Sequence, residues 1–518
     1  MKNTKRFLAM AAALSLAACA AAPMAMTASA ASIEITGIST DQAHTFEVYQ
    51  IFTGDLSDGT FTNLKWGTGI SAYDGAAVTA GALVDSDTID ALGTDARAII
   101  DKITKSSTKA CADVTSSGGT ATISGLDDGY YLVLDTTNLD DKDDANSAYI
   151  IQVAGTASVA IKNETPSVDK QVLDETADAE AGATGGWGES ADHAINETFQ
   201  FKLTATIPAN ADLAAYDTYK LVFNDTMSNG VTFEDIASVS VGGTAIAATA
   251  YTSTATDDTA GLTWSLTIND VIALVPSGKT WSEDEIVVEV VYNAHLNENA
   301  IISTATGNNL EVNNNKVDLQ YSNNPDNTGT GTSDLGQTPE DYVWVFTYEV
   351  DNTKYKVSAA EGNELAGAGF TLYSDSAKTT AIKLIDNGDG TYTVADQSAA
   401  SGTITEMTSN DDGIFNIKGL DAGTYYLSET SVPDDYNAAD DITITIGATH
   451  IENAAGTAAD LTLTATNADN DIVDTKNNTL PSTGGMGTTL FILGGGCMAG
   501  LAGIYLISKK RAKDASAE

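Results

Sequence analysis

Runs in which every second residue is apolar recur along most of this chain. They include FKLTATIP from Phe201, IVVEVVYNAHL from Ile286, GTYTVAD from Gly390 and DITITIGATH from Asp441. A period of two puts alternate side chains on one face, so each run reads as a strand with one buried side. DNGDGT from Asp386 and SNDDGI from Ser409 supply hairpin turns between such runs. One helix is predicted over 87–106. The expected fold class is all-β, built from tandem immunoglobulin-like β-sandwiches.

A β protein of this size lacking a helical layer needs some way of holding its outer strands. Disulfides do not provide it. Of three cysteines, Cys19 lies in the N-terminal apolar run and Cys497 in the C-terminal one, leaving Cys111 alone.

The ends read as export and retention signals. Lys2, Lys5 and Arg6 precede an apolar run, and Ala28-Ser29-Ala30 offers small residues for signal-peptide cleavage, giving 1–30 as a signal peptide. Leu16-Ala17-Ala18-Cys19 overlaps it as a competing lipobox. At the other end, 488–507 is uncharged and long enough to span a bilayer, and Lys509, Lys510 and Arg511 follow it.

With 71 Asp and Glu against 25 Lys and Arg, the chain carries a formal net charge of −46, which argues against nucleic-acid or anionic-lipid partners. The four histidines are scattered without ligand spacing. No Cys/His metal cluster, P-loop or G-x-S-x-G is present, so neither metal nor cofactor is expected, nor catalysis on an outside substrate.

Two composition breaks divide the body: NETPSVDK from Asn163, and NNPDNTGTGTSDLGQTPED from Asn323, which lacks apolar periodicity. The expected domains are 31–163, 164–327 and 341–478, with 328–340 as linker and 480–518 as a C-terminal signal. An internal repeat links the first and third: TSSGGTATISGLDDGYYLVLDT from Thr115 aligns with TSNDDGIFNIKGLDAGTYYLSET from Thr408. Tyr131 then pairs with Tyr425 and Asp135 with Glu429.

Leu480-Pro481-Ser482-Thr483-Gly484, followed by the apolar run and basic tail, resembles the cell-wall sorting signal of Gram-positive surface proteins. The resemblance implies that sortase cleaves between Thr483 and Gly484, holding Thr483 as a thioester until an amine accepts it. FTYEVDNTKYKV, ELAGAGFTLY and YYLSETSVPDDY resemble the CnaB-type domains and E-box of sortase-assembled pilins. Such domains join a first-strand lysine to a last-strand Asn or Asp by a spontaneous amide, promoted by an acidic residue. By motif position the lysine is Lys354, with Lys356 as alternative, the acid Glu429 and the acceptor Asp474, with Asn477 as alternative. The middle segment resembles a CnaA-like domain with Lys170, Asp225 as acid and Asn323 or Asn324 as acceptor. The first segment departs from the pattern: Asp135 stands in the acid slot, yet Ile33–Phe61 holds no lysine before it, so this domain is expected to lack a crosslink.

Burial makes that chemistry reasonable, because it favours a neutral amine and a protonated carboxyl, which can act as nucleophile and proton shuttle. SVAIKN from Ser158 stands where pilin backbones carry the lysine that accepts the next subunit, which makes Lys162 the candidate. The implied protein is the shaft subunit of a covalent pilus on the cell wall, outside the cell. Its implied partners are sortase, identical subunits, minor or tip pilins, peptidoglycan and a host surface ligand. The competing reading is a monomeric wall-anchored adhesin, which needs Thr483 but not Lys162.

Overall fold

The computed structural model describes residues 31–57, 59–92, 99–161, 164–174, 186–258, 261–325, 335–466, 468–476, 497–507 and 509. Almost all of these residues lie in strands and turns, and the alternating runs are strands with alternating burial. Ile286–Leu296 buries every second residue from Ile286 to Leu296, and Thr198–Ile207 does the same from Phe199. Of the segment predicted as a helix over 87–106, Ser86–Ala91 is helical, capped by the Asp85 carboxylate accepting from Thr88 N–H, and 99–100 are helical; 93–98 lie outside the described residues. Ile103–Lys105 is instead a strand that pairs with Ile70–Tyr73, so a neighbouring strand overrides local helical propensity.

Three pairs of sheets follow one another. In the first, Ala31–Thr36 lies between Thr156–Ala160 (parallel) and Thr120–Leu126 (antiparallel). The facing sheet runs Ala148–Val153, Gly129–Asp135, Thr45–Ser57, Thr60–Trp66. Its core holds Ile33, Ile35, Phe46, Tyr131 and Val133. In the second pair, Ser167–Asp174 pairs with Thr198–Ile207, while Leu221–Met227 lies between Asn313–Ser322 and Gly261–Ile268 in the facing sheet. In the third, Tyr348–Lys356 runs parallel to Asp469–Asp474, opposite a sheet containing Gly369–Tyr373, Gly423–Ser431 and Ile442–Glu452.

The second and third units are interleaved more than composition suggests. Asp341–Phe346 completes the second unit's sheet, between Asn313–Ser322 and Ser190–Asp192, so the third unit's own strands begin at Tyr348 and not at 341. Conversely, Gly307–Leu310 extends the third unit's sheet beside Ala459–Thr466. Ile195 N–H donates to Gly419 O at 3.0 Å and packs against that glycine, where an added Cβ would lie 2.7 Å from the Ile195 side chain. Gly419 also has φ +82°, a conformation that favours glycine, so two demands meet at one residue.

The repeat seen in the sequence is a repeat in three dimensions. Tyr131 OH donates to Asp127 O at 2.6 Å, and Tyr425 OH donates to Asp421 O at 2.9 Å, with the same four-residue offset. In the C-terminal apolar run, 497–507 is helical; the rest of 488–507 lies outside the described residues. Among the described residues no helix is long and apolar enough to cross a membrane.

Candidate crosslinking sites in the sandwich cores

The third unit holds a lysine and two carboxylates inside its core. Lys354 is on the first strand and its side chain points inward, in phase with Val350 and Asn352. Asp474 ends the last strand, which runs parallel beside the first. Glu429 comes from Gly423–Ser431 of the facing sheet. Lys354 Nζ contacts Asp474 Oδ1 directly and lies 3.2 Å from Glu429 Oε2; all three side chains are fully screened from solvent. The Phe370 ring lies under the ammonium, its centroid 5.2 Å away. Burial pushes the Glu429 carboxyl above its ordinary value, opposed by the Ala439 N–H that it accepts at 2.6 Å and by Lys354. A carboxyl that retains its proton beside an amine and a second carboxyl can protonate a leaving hydroxyl. Lys356, two residues on, is only half-buried, and Asn477 lies outside the described residues.

The second unit repeats the arrangement with different partners. Lys170 Nζ contacts Asp225 Oδ2 and donates to Tyr292 OH at 3.0 Å. Tyr292 OH donates to Asp225 Oδ2, also at 3.0 Å. Burial lowers the Lys170 pKa and raises that of Asp225, each opposed by the partner's charge, so the pair is driven towards neutral amine and neutral acid. Asp225 lies within the strand Leu221–Met227 and has no turn-forming role.

Asn323 is not brought to this pair. Asp225 stands opposite Val317, and Asn323 is six positions further along the chain, roughly 20 Å at the rise of a strand and far beyond a lysine's reach. The Asn323 carboxamide donates instead to Leu139 O at 2.8 Å, towards the first unit, and Asn324 follows it beyond the strand's end. The asparagine at the site is Asn315. It is two residues from Val317 on the same face, fully buried, and its Nδ2 donates to Tyr292 OH at 2.6 Å. Lys170 and Asn315 thus share one phenol oxygen. Sequence reasoning missed Asn315 because it placed the acceptor at the strand's exit. The available signal was phase: Asn313, Asn315, Val317 and Leu319 alternate inward.

In the first unit Asp135 does occupy the Glu429 slot, since Phe46 stands opposite Asp135 as Phe370 stands opposite Glu429. The first strand presents Ile33 and Ile35 to the core, with no amine. Asp135 pairs instead with His44, whose Nδ1 lies 2.6 Å from Asp135 Oδ2 and whose Nε2 lies 3.0 Å from Asp144 Oδ2. Burial alone would lower the His44 pKa. The hydrogen bonds and charges of the two aspartates outweigh it and push the imidazole up to about 9. Lys162 and Leu480, Pro481, Thr483 and Gly484 lie outside the described residues.

The comparisons agree in family. The profile described as "Gram-positive pilin backbone subunit 2, Cna-B-like domain" matches residues 195–325, where the sequence resemblance implied a CnaA-like domain. "SpaA: Prealbumin-like fold domain" matches 351–457, and "LPXTG cell wall anchor motif" matches 472–514. This chain is a Gram-positive pilin backbone subunit. The pilin is 23% identical over 435 residues to the trypsin-resistant surface T6 protein of Streptococcus pyogenes serotype M6, covering 73% of each chain. Similar solved structures include the T6 backbone pilin of serotype M6 S. pyogenes, at TM-score 0.47 and 19% identity, covering 88% of the pilin and 100% of that chain. Another is the full-length major pilin SpaD of Corynebacterium diphtheriae, at TM-score 0.44 and 17% identity, covering 88% and 99%. The pilin is a cell-wall-anchored protein of the extracellular pilus.

Proposed function

We propose that this subunit forms the shaft of its pilus by head-to-tail linkage of Thr483 in one copy to Lys162 in the next, and that two internal amides, Lys170–Asn315 and Lys354–Asp474, fix its second and third units. The observation that carries the reading is the buried Lys354, Asp474 and Glu429 cluster, which holds the first-strand lysine against the last-strand aspartate with a carboxyl of the facing sheet beside them, screened from solvent.

In the third unit Lys354 Nζ attacks Asp474 Cγ. Glu429 gives its proton to the departing hydroxyl and recovers one from the new amide nitrogen, so the products are an amide and water. In the second unit Lys170 Nζ attacks Asn315 Cγ, and protonated Asp225 plays the same part, with ammonia leaving. The fixed cores provide effective concentration, and no external catalyst is needed. The subunit's chemistry is on itself, and it turns over no outside substrate.

Polymerisation requires sortase to form the Thr483 thioester and the exposed amine of Lys162 to resolve it. The contact is heterologous and does not close, so it generates a fibre. At one end of the fibre the last Thr483 thioester passes to an amine of a minor pilin or of peptidoglycan, at the other the unjoined Lys162 accepts the thioester of a tip pilin, and a host surface ligand is met by the finished fibre. Denaturing electrophoresis of wall extracts tests this. A ladder of covalent multimers is expected from the parent, and a single anchored band from Lys162→Ala. A ladder unchanged in Lys162→Ala would overturn the assigned linkage.

A further inference from the structure

Two aspartates and a histidine meet at the seam between the second and third units, away from both crosslinking sites. Asp174 ends Ser167–Asp174, the strand that carries Lys170; Asp192 ends Ser190–Asp192; His450 lies on Ile442–Glu452 of the third unit. All three side chains are buried, each exposing at most 1% of its surface. His450 Nε2 stands 3.7 Å from Asp174 Oδ2 and 3.8 Å from Asp192 Oδ2, and one ligand atom from each residue fits within 4.8 Å of the others.

The spacing differs from that of a histidine built as an ion pair. This chain contains one of those for comparison: His44 gives each ring nitrogen to one aspartate, at 2.6 and 3.0 Å. His450 instead places Nδ1 2.8 Å from Ser190 Oγ and turns Nε2 towards both carboxylates, outside hydrogen-bond range of either. A hydrogen bond from Nδ1–H to the serine leaves the Nε2 lone pair facing the carboxylates, the tautomer and orientation that outer-shell partners impose on metal-binding histidines. Asp192 is held in turn by Tyr348 OH, which donates to its Oδ2 at 3.0 Å, and the Phe346 ring stacks on His450 at 5.5 Å between centroids.

We propose that Asp174, Asp192 and His450 form a structural site for a divalent transition ion of the zinc class. Around such an ion, with bonds of about 2.0–2.2 Å, neighbouring donors stand roughly 3.0–3.5 Å apart, so each side chain moves inward by about half an ångström or less. One imidazole and two carboxylates suit zinc, whereas calcium favours six or more oxygens and has little use for a ring nitrogen. A dication also brings positive charge beside two buried carboxylates. Because the ligands come from both units, occupancy rivets the second unit to the third.

The test uses the untagged full-length protein, stripped with chelator and titrated with zinc in competition with a chromophoric chelator, and separately with cobalt(II). The expected result is one equivalent of zinc bound at micromolar affinity or tighter, visible cobalt bands of a nitrogen–oxygen site, and a zinc-dependent rise in melting temperature. His450→Gln and Asp192→Asn should weaken binding by about 100-fold or more. Circular dichroism checks that both variants fold, and the cobalt spectrum reads the parent without any substitution. Absence of stoichiometric zinc binding by the folded parent overturns the proposal, as does binding that both folded variants retain. A nitrogen-15 spectrum showing His450 as an imidazolium in the zinc-supplemented parent would overturn it too, assigning the cluster as an ion pair.

Discussion

Replacing Glu429 with Gln isolates the proposed third-unit amide from everything else that holds this unit together. The substitution keeps size, leaves an oxygen for the Ala439 N–H, and leaves Lys354 against Asp474; it removes only the titratable proton. If Glu429 is the proton shuttle, the amide does not form, and intact mass rises by about 18 Da for the retained water once the substitution is allowed for. The cost to stability follows from the loop that the bond closes. Lys354 and Asp474 are 120 residues apart, and a crosslink over such a span removes chain entropy worth about 5 kcal/mol from the unfolded state. For a unit of this size that corresponds to a fall of roughly 15 °C in its melting temperature. Mass spectrometry and calorimetry on the same preparations read both quantities. A variant that keeps the parent's mass would refute the role of Glu429. A variant that regains the water yet melts within about 3 °C of the parent would refute the entropic account.

Asn315→Ala should restore about 17 Da, net of the substitution, because no ammonia is lost, while Asn323→Ala should keep the deficit; intact masses decide between the two acceptors. His44 has a folded pKa of about 9, above its ordinary 6.5, so its stabilising contribution is complete below about pH 6.5 and is lost as pH rises through 9. That contribution is about 3 kcal/mol, and hydrogen exchange in the first unit should accelerate from pH 7 to pH 10 beyond the intrinsic rate increase. His44→Ala strands Asp135 and Asp144 without their cation and should destabilise the first unit by about 3–5 kcal/mol in denaturant titrations, with the other units unaffected.

How much of this was legible in the sequence depended on whether a feature is local. The strands were legible because alternation is a local signal, and the third-unit site because Lys354, Glu429 and Asp474 sit at motif offsets. Asn315 was present in the same run as Asn323, and choosing between them required strand register, which sets a position against its neighbour across the sheet and not along the chain. The helix predicted over 87–106 runs too far for a related reason: Ile103–Lys105, at its end, is a strand partner of Ile70–Tyr73. The boundary at 341 misplaced Asp341–Phe346 because that strand follows a linker yet pairs backwards into the second unit. The His450 cluster was invisible, since Ser190 and His450 are 260 residues apart and only the packing of two units brings them together.

The positions of the proposed bonds explain why the first unit can do without one. With the proposed linkage, tension enters a subunit at Lys162 and leaves at Thr483, so 31–161 stands outside the covalent line of force. Within that line the load passes from 162 to Lys170, crosses the amide to Asn315, runs to Lys354, and crosses the second amide to Asp474. The sheets between those points are bypassed. Of the stretches still under load, 315–354 contains Asp341–Phe346, which is paired on both sides within the second unit's sheet. This is the segment at the seam between the second and third units, next to His450 and Asp192. A histidine–aspartate pair that weakens above pH 9 is adequate in the first unit because it bears no pull. The second and third units lie in the line of pull, and the proposed amides would give them bonds that only chemistry can break.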